Sequence, residues 1–178
     1  MNYKILVVLT GLLSMILTSE KSEFMKDCTC KKIDLTKGLV LKGSGNRYSV
    51  TLPNKDWNPV IIENGLNAAV FEKDAFKFFG IVEMKNSQPR KTLDEQQQDI
   101  ERNFDVIESG TTMMFNKKSI WNLVKEKVDT ISFKVLYVTV ENPKNDLIYT
   151  LSLGVSSNRY GKKELCELET IIKSFKLN

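Results

Sequence analysis

The stretch FKVLYVTV, Phe133–Val140, decides the fold because it is apolar on both sides. Side chains alternate between the two faces of a β-strand with a period of two residues. The two faces of this stretch carry Phe133, Val135 and Tyr137, and Leu136, Val138 and Val140. A strand that is apolar on both faces lies inside a sheet and is covered by another layer on each side. The stretch therefore predicts a central strand in a sandwich of layers.

Segments on either side of this stretch also have the patterns of strands. The second half of the chain contains TTMMFN, IWNLVKEKV and LIYTLSLGVSS, and Asn142–Asp146 (NPKND) predicts a turn before the last of them. Earlier, Tyr48–Leu52 alternates apolar and polar residues until Pro53 stops the strand. The next segment, NKDWNP, predicts a loop. Residues Asn67–Asn86 then predict a hairpin that turns near Glu72–Asp74.

Two helices supply the covering layers. Thr92 and Glu95 have the spacing of a capping box, which starts the first helix. One stripe at helical spacing follows, made of Leu93, Gln97, Ile100, Phe104 and Ile107. The second helix lies in Tyr160–Asn178, and its packed face carries Leu165, Leu168, Ile171, Ile172 and Phe175. The chain is thus predicted to be α+β, with a mainly antiparallel sheet of about six or seven strands covered by two helices, an α/β/α sandwich.

The N-terminus has the pattern of a targeting segment. Ile5–Thr18 is uncharged and mostly apolar, and its 14 residues suit a signal-peptide core better than a membrane span, which needs about 20. We predict that residues 1–19 are a signal peptide or an uncleaved N-terminal anchor, 20–46 a tether, and 47–178 a single domain. The domain is then extracytoplasmic, periplasmic or secreted, in a compartment where disulfides persist.

The order of elements resembles that of the PsbP-like superfamily. The resemblance runs from Arg47 to Asn178 and rests on YSVTLPNKDW, a hairpin, the TLDE helix, DLIYTLSLGVSS and ELETIIKSFKLN. It implies an α/β/α sandwich and a binding or assembly role without catalysis. Members serve photosynthetic complexes, bind a small nuclear GTPase or sit in bacterial envelopes as lipoproteins. The metal-binding residues of the photosynthetic members have no matching motif here.

Composition excludes several kinds of chemistry. The 178 residues include no histidine, so a Ser/His/Asp or Cys/His relay is impossible and the commonest transition-metal ligand is missing. We predict no cofactor and no metal. The formal net charge is only +4, and the basic residues are interleaved with acids, which disfavours nucleic acid as a partner. The acids of the first helix, Asp94, Glu95, Asp99 and Glu101, lie off its stripe and are interpreted as structural.

Aromatic and basic residues offer possible contacts with a protein partner. Trp57 is predicted in a loop, and Trp121 on a strand whose Lys125 and Lys127 point to the same side. The alternative for both tryptophans is packing at the edge of the core. In FKFF, Phe79 falls on the opposite strand face from Phe76 and Phe78. One of these faces is expected under a helix, and the other is a possible partner surface.

Three functions remain open at this point. The preferred one is an exported, non-catalytic binding or assembly module of a bacterial-type cell envelope, with a protein partner and with membrane contact only through the N-terminal segment if it is uncleaved. The alternative is a carboxylate-dependent extracytoplasmic hydrolase, which two acids with raised pKa values in one cleft would favour. A narrower alternative is an immunity-type inhibitor of a secreted toxin.

The three cysteines predict a fastening for the tether. Cys28 and Cys30 lie in the tether, and Cys166 falls about 160° from the centre of the second helix's apolar face, so it is expected to be exposed. An exposed thiol in an oxidising compartment favours a disulfide between Cys166 and either Cys28 or Cys30. A direct bond between Cys28 and Cys30 is the competing arrangement.

Overall fold

The computed structural model describes residues 33–61, 66–71, 77–85, 89–114, 116–142, 144–159 and 161–178. These residues form two sheets and two α-helices. The strands are β1 (Leu39–Lys42), β2 (Tyr48–Leu52), β3 (Trp57–Ile61), β4 (Leu66–Phe71), β5 (Lys77–Lys85), β6 (Asp105–Met114), β7 (Lys117–Val128), β8 (Ile131–Glu141), β9 (Leu147–Ser156) and β10 (Lys176–Leu177). The helices are α1 (Leu93–Asn103) and α2 (Lys162–Ser174).

The large sheet has seven antiparallel strands in the order β3-β4-β5-β9-β8-β7-β6. The stretch Phe133–Val140 lies in β8, between β9 and β7. Its adjacent residues Val135 and Leu136 point to opposite faces, and both are fully buried. The prediction of an interior strand covered on both sides is confirmed.

A small sheet of β1, β2 and β10 lies in the same layer as α2, which packs on β2. In β2 the predicted alternation is confirmed, because Tyr48, Val50 and Leu52 are buried while the residues between them are partly exposed. Strand β1 pairs with β2 along its whole length, although Leu39–Lys42 falls in the segment predicted to be a tether. The paired structure therefore begins before Arg47.

The two helices lie on opposite faces of the large sheet. We call the side that carries α2 and the small sheet the closed face, since α2 packs on β2 and β9 there, and Leu168, Ile171 and Phe175 join the main core. Helix α1 packs on β7 and β6 on the other side, where Ile100 meets a second, smaller cluster. The predicted α+β sandwich is confirmed.

Two boundaries differ from the prediction. Residues Trp57–Pro59, predicted as the end of a loop, begin the strand Trp57–Ile61, and the sheet tolerates Pro59 there because β3 is an edge strand, where a missing N–H is harmless. The first helix ends at Asn103, and Phe104 has extended backbone angles. Ile107 consequently belongs to β6 and not to the helical stripe.

Candidate functional site

The candidate site lies on the side of the large sheet that carries α1. One row of register partners crosses the sheet from Val60 through Ala68, Gly80 and Ser152 to Tyr137. Tyr137 packs on the α1-side cluster, so the whole row faces that side. We call the part of this side on β3, β4, β5 and β9 the open face. Its main side chains are Val60, Ala68, Val70, Phe78, Val82, Met84, Thr150 and Ser152.

The open face is apolar yet partly exposed. Val60 is 41% and Met84 47% exposed, and Val82 has intermediate exposure. Phe79 and Ile81, which point to the closed face of β5, are fully buried. An antiparallel sheet that meets water normally alternates apolar residues inside with polar residues outside. On β3, β4 and β5, apolar residues instead occupy most positions of both faces.

A groove of about 240 Å³ marks the border between the open face and α1. Its lining combines apolar, hydroxyl and carboxylate groups, from Gln96, Asp99, Ile100, Phe104, Tyr137, Thr139 and Thr150. The hydroxyls of Thr139 and Thr150 lie 3.4 Å apart on neighbouring strands. The groove can therefore accept both apolar contacts and hydrogen bonds.

Tyr137 lines this groove and is held in place by two contacts. Its hydroxyl donates to Oε1 of Glu126 at 2.5 Å, and its ring packs on Phe104 with centroids 5.6 Å apart. Burial raises the pKa of Tyr137, and the neighbouring Glu126 carboxylate raises it further. The phenol thus stays protonated at neutral pH and acts as a hydrogen-bond donor.

Helix α1 is attached mainly through polar contacts, and none of its described residues is buried. The predicted capping box is confirmed, with Thr92 accepting from the Glu95 backbone and Glu95 accepting from the Thr92 backbone. Gln97 donates to Oδ1 of the buried Asn122 at 2.5 Å. Lys118 reaches Asp94 at 3.1 Å. The helix therefore lies on the sheet surface, and Ile100 is the residue of its apolar stripe that packs on the smaller cluster.

The described acids whose pKa is shifted do not behave as proton donors. The backbone N–H of Thr92 lowers the pKa of Glu95, and the hydrogen bond from Lys91 lowers the pKa of Asp99. The Thr36 backbone similarly lowers the pKa of Asp34. Carboxyls with lowered pKa are stable anions. None of the three supplies the raised pKa that the hydrolase hypothesis requires.

The predicted contact residues do not come together at one site. Trp57 packs on Phe71 in the core with centroids 5.5 Å apart, and Trp121 is also buried, so neither indole presents its ring to a partner. Both residues fit the alternative of core packing. Lys125 and Lys127 are exposed on the same strand face as Trp121, the face opposite to the open face. Their role in partner binding stays a prediction.

The environment of Cys166 differs from the prediction. The residue is only 9% exposed, whereas its place on the helix predicted exposure. Its neighbour Glu167 is also buried, bonded at 2.7 Å to Lys77 at the start of β5. The helical angle alone therefore did not predict the burial of Cys166. Cys28 and Cys30 lie outside the described residues, and the predicted disulfide stays a prediction.

The described part of the chain contains no group of three or more Cys, Asp or Glu side chains that could hold a metal ion. It also contains no helix that is long and apolar enough to cross a membrane.

The FKFF pattern correctly indicated that β5 has two different faces. Phe79 is fully buried on the closed face and Phe78 lies half-buried on the open face, as the FKFF pattern predicted, while Phe76 is outside the described residues. Sequence reasoning missed Val60, Val82 and the groove. The available signal was the absence of polar residues from both alternating positions along Phe78–Val82.

Comparisons with known proteins identify the class of fold. No family model and no curated protein matches the chain. Solved structures do match. A crystal structure from Bacteroides thetaiotaomicron at 1.50 Å resolution has a TM-score of 0.59 and 15% identity over 80% of this chain. The match covers 49% of that protein, so this chain spans about half of it.

Two smaller proteins match over almost their whole length. The Ran-binding protein Mog1p of Saccharomyces cerevisiae has a TM-score of 0.52 and 10% identity, covering 79% of this chain and 95% of its own. LpqN of Mycobacterium tuberculosis, which is involved in cell envelope biogenesis, has a TM-score of 0.50 and 13% identity, covering 79% and 90%. At such identities the likeness shows the fold alone.

Proposed function

We propose that this chain is an exported, non-catalytic binding or assembly module of the cell envelope, and that a protein partner docks on its open face. The observation that carries the proposal is the exposed apolar surface on β3, β4 and β5, which includes Val60, Val82 and Met84. Contiguous exposed apolar surface on a folded domain marks an interaction site. Burying this surface would remove apolar side chains from water, which favours association.

The groove beside α1 supports the same role. Gln96 and Asp99 on its rim and the hydroxyls of Thr139 and Thr150 on its floor provide hydrogen-bonding groups next to the apolar surface. An apolar centre with polar groups at its edge is the usual composition of a protein interface. The open face and the groove together would form one continuous contact area.

The fold comparisons support a binding role, and the N-terminal pattern supports the location. Mog1p binds Ran and LpqN takes part in cell envelope biogenesis. We infer from the shared fold and the quoted sequence phrases that this chain belongs to the PsbP-like superfamily. The apolar segment Ile5–Thr18 would direct the chain out of the cytoplasm. In that compartment a disulfide from Cys166 to Cys28 or Cys30 would fasten the tether to α2.

The test of the proposed function uses photo-cross-linking in the native envelope. A photoreactive residue at Val82 should capture one protein in stoichiometric yield under gentle extraction. The same residue at Val40, a valine of β1 that is 52% exposed, is the matched control and should capture none. Equal capture at Val40 and Val82, or no capture at Val82, would contradict docking on the open face.

The disulfide is tested separately. Peptide mapping of the exported chain without reducing agent should recover Cys166 joined to a peptide that contains Cys28 or Cys30. Recovery of all three cysteines as free thiols would show that the tether is not fastened this way. This result would leave the open-face proposal intact, since the two rest on different residues.

A further inference from the structure

We propose that the partner presents a single amphipathic helix, which lies along the open face beside α1. This inference rests on the proposed function and adds the kind of structure that the open face recognises.

The spacing of the sheet leaves room for one more helix. Helix α1 packs mainly over β7, and β9 lies two strands away. Neighbouring strands are about 4.8 Å apart, so an axis over β9 would lie about 10 Å from the axis of α1. Packed helices have axes about 8 to 10 Å apart. A helix over β9 would therefore contact both the sheet and α1.

The floor of this position is built from small residues. Thr150 and Ser152 of β9 and Gly80 of β5 lie along it, and short side chains let a helix approach the sheet closely. A Cβ added to Gly80 would meet Oγ of Ser152 at 2.7 Å, so the glycine keeps this part of the floor flat. Val82 borders the floor on one side and Tyr137 borders it on the other.

Phe78 and Phe133 form an aromatic pair at the end of the floor that lies next to Gly154. The ring of Phe78 lies over Gly154, where an added Cβ would come within 2.0 Å of it, and packs against Phe133 with centroids 5.6 Å apart. The floor therefore has a defined end. A helix seated on it would place its end against the Phe78 ring.

The area of the open face suits one helix better than a second copy of this chain. Four strands span about 14 Å, and five residues of strand about 17 Å, which gives roughly 240 Å². A stable interface between two proteins buries about 800 Å² on each partner. A helix is about 10 Å wide with its side chains, so three turns centred over β9 would cover the part of the open face on β9 and β5.

The groups around the floor define the chemistry of this helix. The main side chains of the open face are uncharged, so the helix would place apolar residues at i, i+3, i+4 and i+7 against them. On the α1 side it would meet Gln96 and Asp99. The Asp99 carboxylate already pairs with Lys91 and lies near Arg102, so the amide of Gln96 is the group that favours a polar, uncharged side chain on that edge of the helix.

A peptide selection tests the inference directly. The full chain serves as bait for a displayed library of 16-residue helical peptides, randomised at all positions of one face. Enriched peptides should carry apolar residues at i, i+3, i+4 and i+7. Val82→Asp should weaken their binding at least tenfold, and Ser152→Trp, which fills the floor, should do the same. Val40→Asp on β1 is the matched control and should leave binding unchanged.

Four results would overturn the inference. They are a failure to enrich any helical peptide, equal binding of enriched peptides to the Val82→Asp chain, equal binding after a central residue of the peptide is changed to proline, and a concentration-dependent dimer of the chain that Val82→Asp dissolves. Thermal unfolding of each variant shows whether it is folded. If Val82 captures an envelope protein while no helical peptide binds, the helix fails and the proposed function stands.

Discussion

The two faces of the large sheet are covered very unequally. On the closed face, α2 and the small sheet bury a large apolar core in which Phe79, Ile81 and Leu151 have no exposed surface. On the other side, α1 has no buried residue among those described, and the cluster beneath it has three buried members, Val124, Phe133 and Val135. The closed face therefore supplies most of the stability. The open face contributes less to it and can serve recognition.

The strands show that this inequality is not a consequence of polarity. In β5, Ile81 and Val82 are adjacent and both are β-branched and aliphatic, yet Ile81 is fully buried and Val82 is partly exposed. Hydrophobic residues are stabilising only to the extent that folding removes them from water. Val82 and its open-face neighbours thus keep apolar surface in water that a partner could bury, whereas folding has already buried the apolar surface of the closed face.

The largest expected difference in stability is between substitutions at Ile81 and at Val82. Ile81→Ala opens a cavity in the main core and should lower the free energy of unfolding by about 4 kcal/mol. Val82→Ala removes a smaller and partly exposed side chain and should cost less than about 1 kcal/mol. Urea unfolding of the two variants measures the difference. Equal losses would mean that the open face is packed as tightly as the closed face.

The next largest difference is between the ion pair that attaches α2 to the sheet and the one that attaches α1. Glu167 of α2 forms a buried ion pair with Lys77, whose ammonium also lies 4.1 Å from the centre of the Phe71 ring. Glu167→Ala leaves the Lys77 charge buried without this carboxylate and should cost about 3 kcal/mol. Asp94→Ala breaks the exposed pair of α1 with Lys118 and should cost less than about 0.5 kcal/mol.

The same unfolding measurement checks this pair of variants. Glu167→Gln is the appropriate companion, because the amide preserves the shape and one hydrogen bond and should recover part of the loss. A loss for Asp94→Ala as large as that for Glu167→Ala would show that α1 is held as firmly as α2.

A smaller effect concerns the start of α1. Thr92→Ala removes the side-chain acceptor of the capping box and should destabilise the helix by about 1 kcal/mol. Because α1 lies on the surface, the loss should appear as faster amide exchange in Leu93–Asn103 while α2 keeps its protection. Thr92→Ser preserves the cap and is the control. Equal deprotection of α2 would mean that the two helices unfold as one unit.

Local patterns in the sequence predicted most of the elements because each pattern has a direct physical cause. The alternation of Tyr48–Leu52 follows from a two-residue period, and the capping box of Thr92 and Glu95 follows from unpaired N–H groups at a helix start. Such features depend on neighbours in the chain. The structure places both where the sequence predicted them.

Features that depend on distant partners were not predicted. The loop assigned to Trp57 became a strand because it pairs with β4, and Leu39–Lys42 became a strand because it pairs with β2. Cys166 is buried, contrary to its helical angle, and the adjacent Glu167 pairs with Lys77 about ninety residues away. The open face was missed for the same reason. The apolar residues on both faces of β5 predict a covering layer on each side of the sheet, and only the assembled sheet shows that α1 packs on β7 and β6 and leaves the open face partly exposed.

The smallest expected effect is a pH dependence confined to the α1 side. The pKa values of Glu95 and Asp99 are lowered in the folded chain, by the Thr92 backbone and by Lys91 respectively. A carboxyl with a lowered folded pKa contributes stability that is fully present above its unfolded pKa, near 4, and is lost as the pH falls through its folded pKa. Acidification from pH 6 to pH 3 should therefore loosen α1.

Amide exchange, corrected for the intrinsic rate at each pH, measures this loosening helix by helix. Protection of Leu93–Asn103 should fall with acid while protection of Ile171 in α2, which packs in the main core, should change little. Glu95→Gln together with Asp99→Asn removes both titrating groups and should flatten the pH dependence of α1. If α1 keeps its acid response in this double variant, other groups cause it and the two sides of the sheet do not differ in the way proposed.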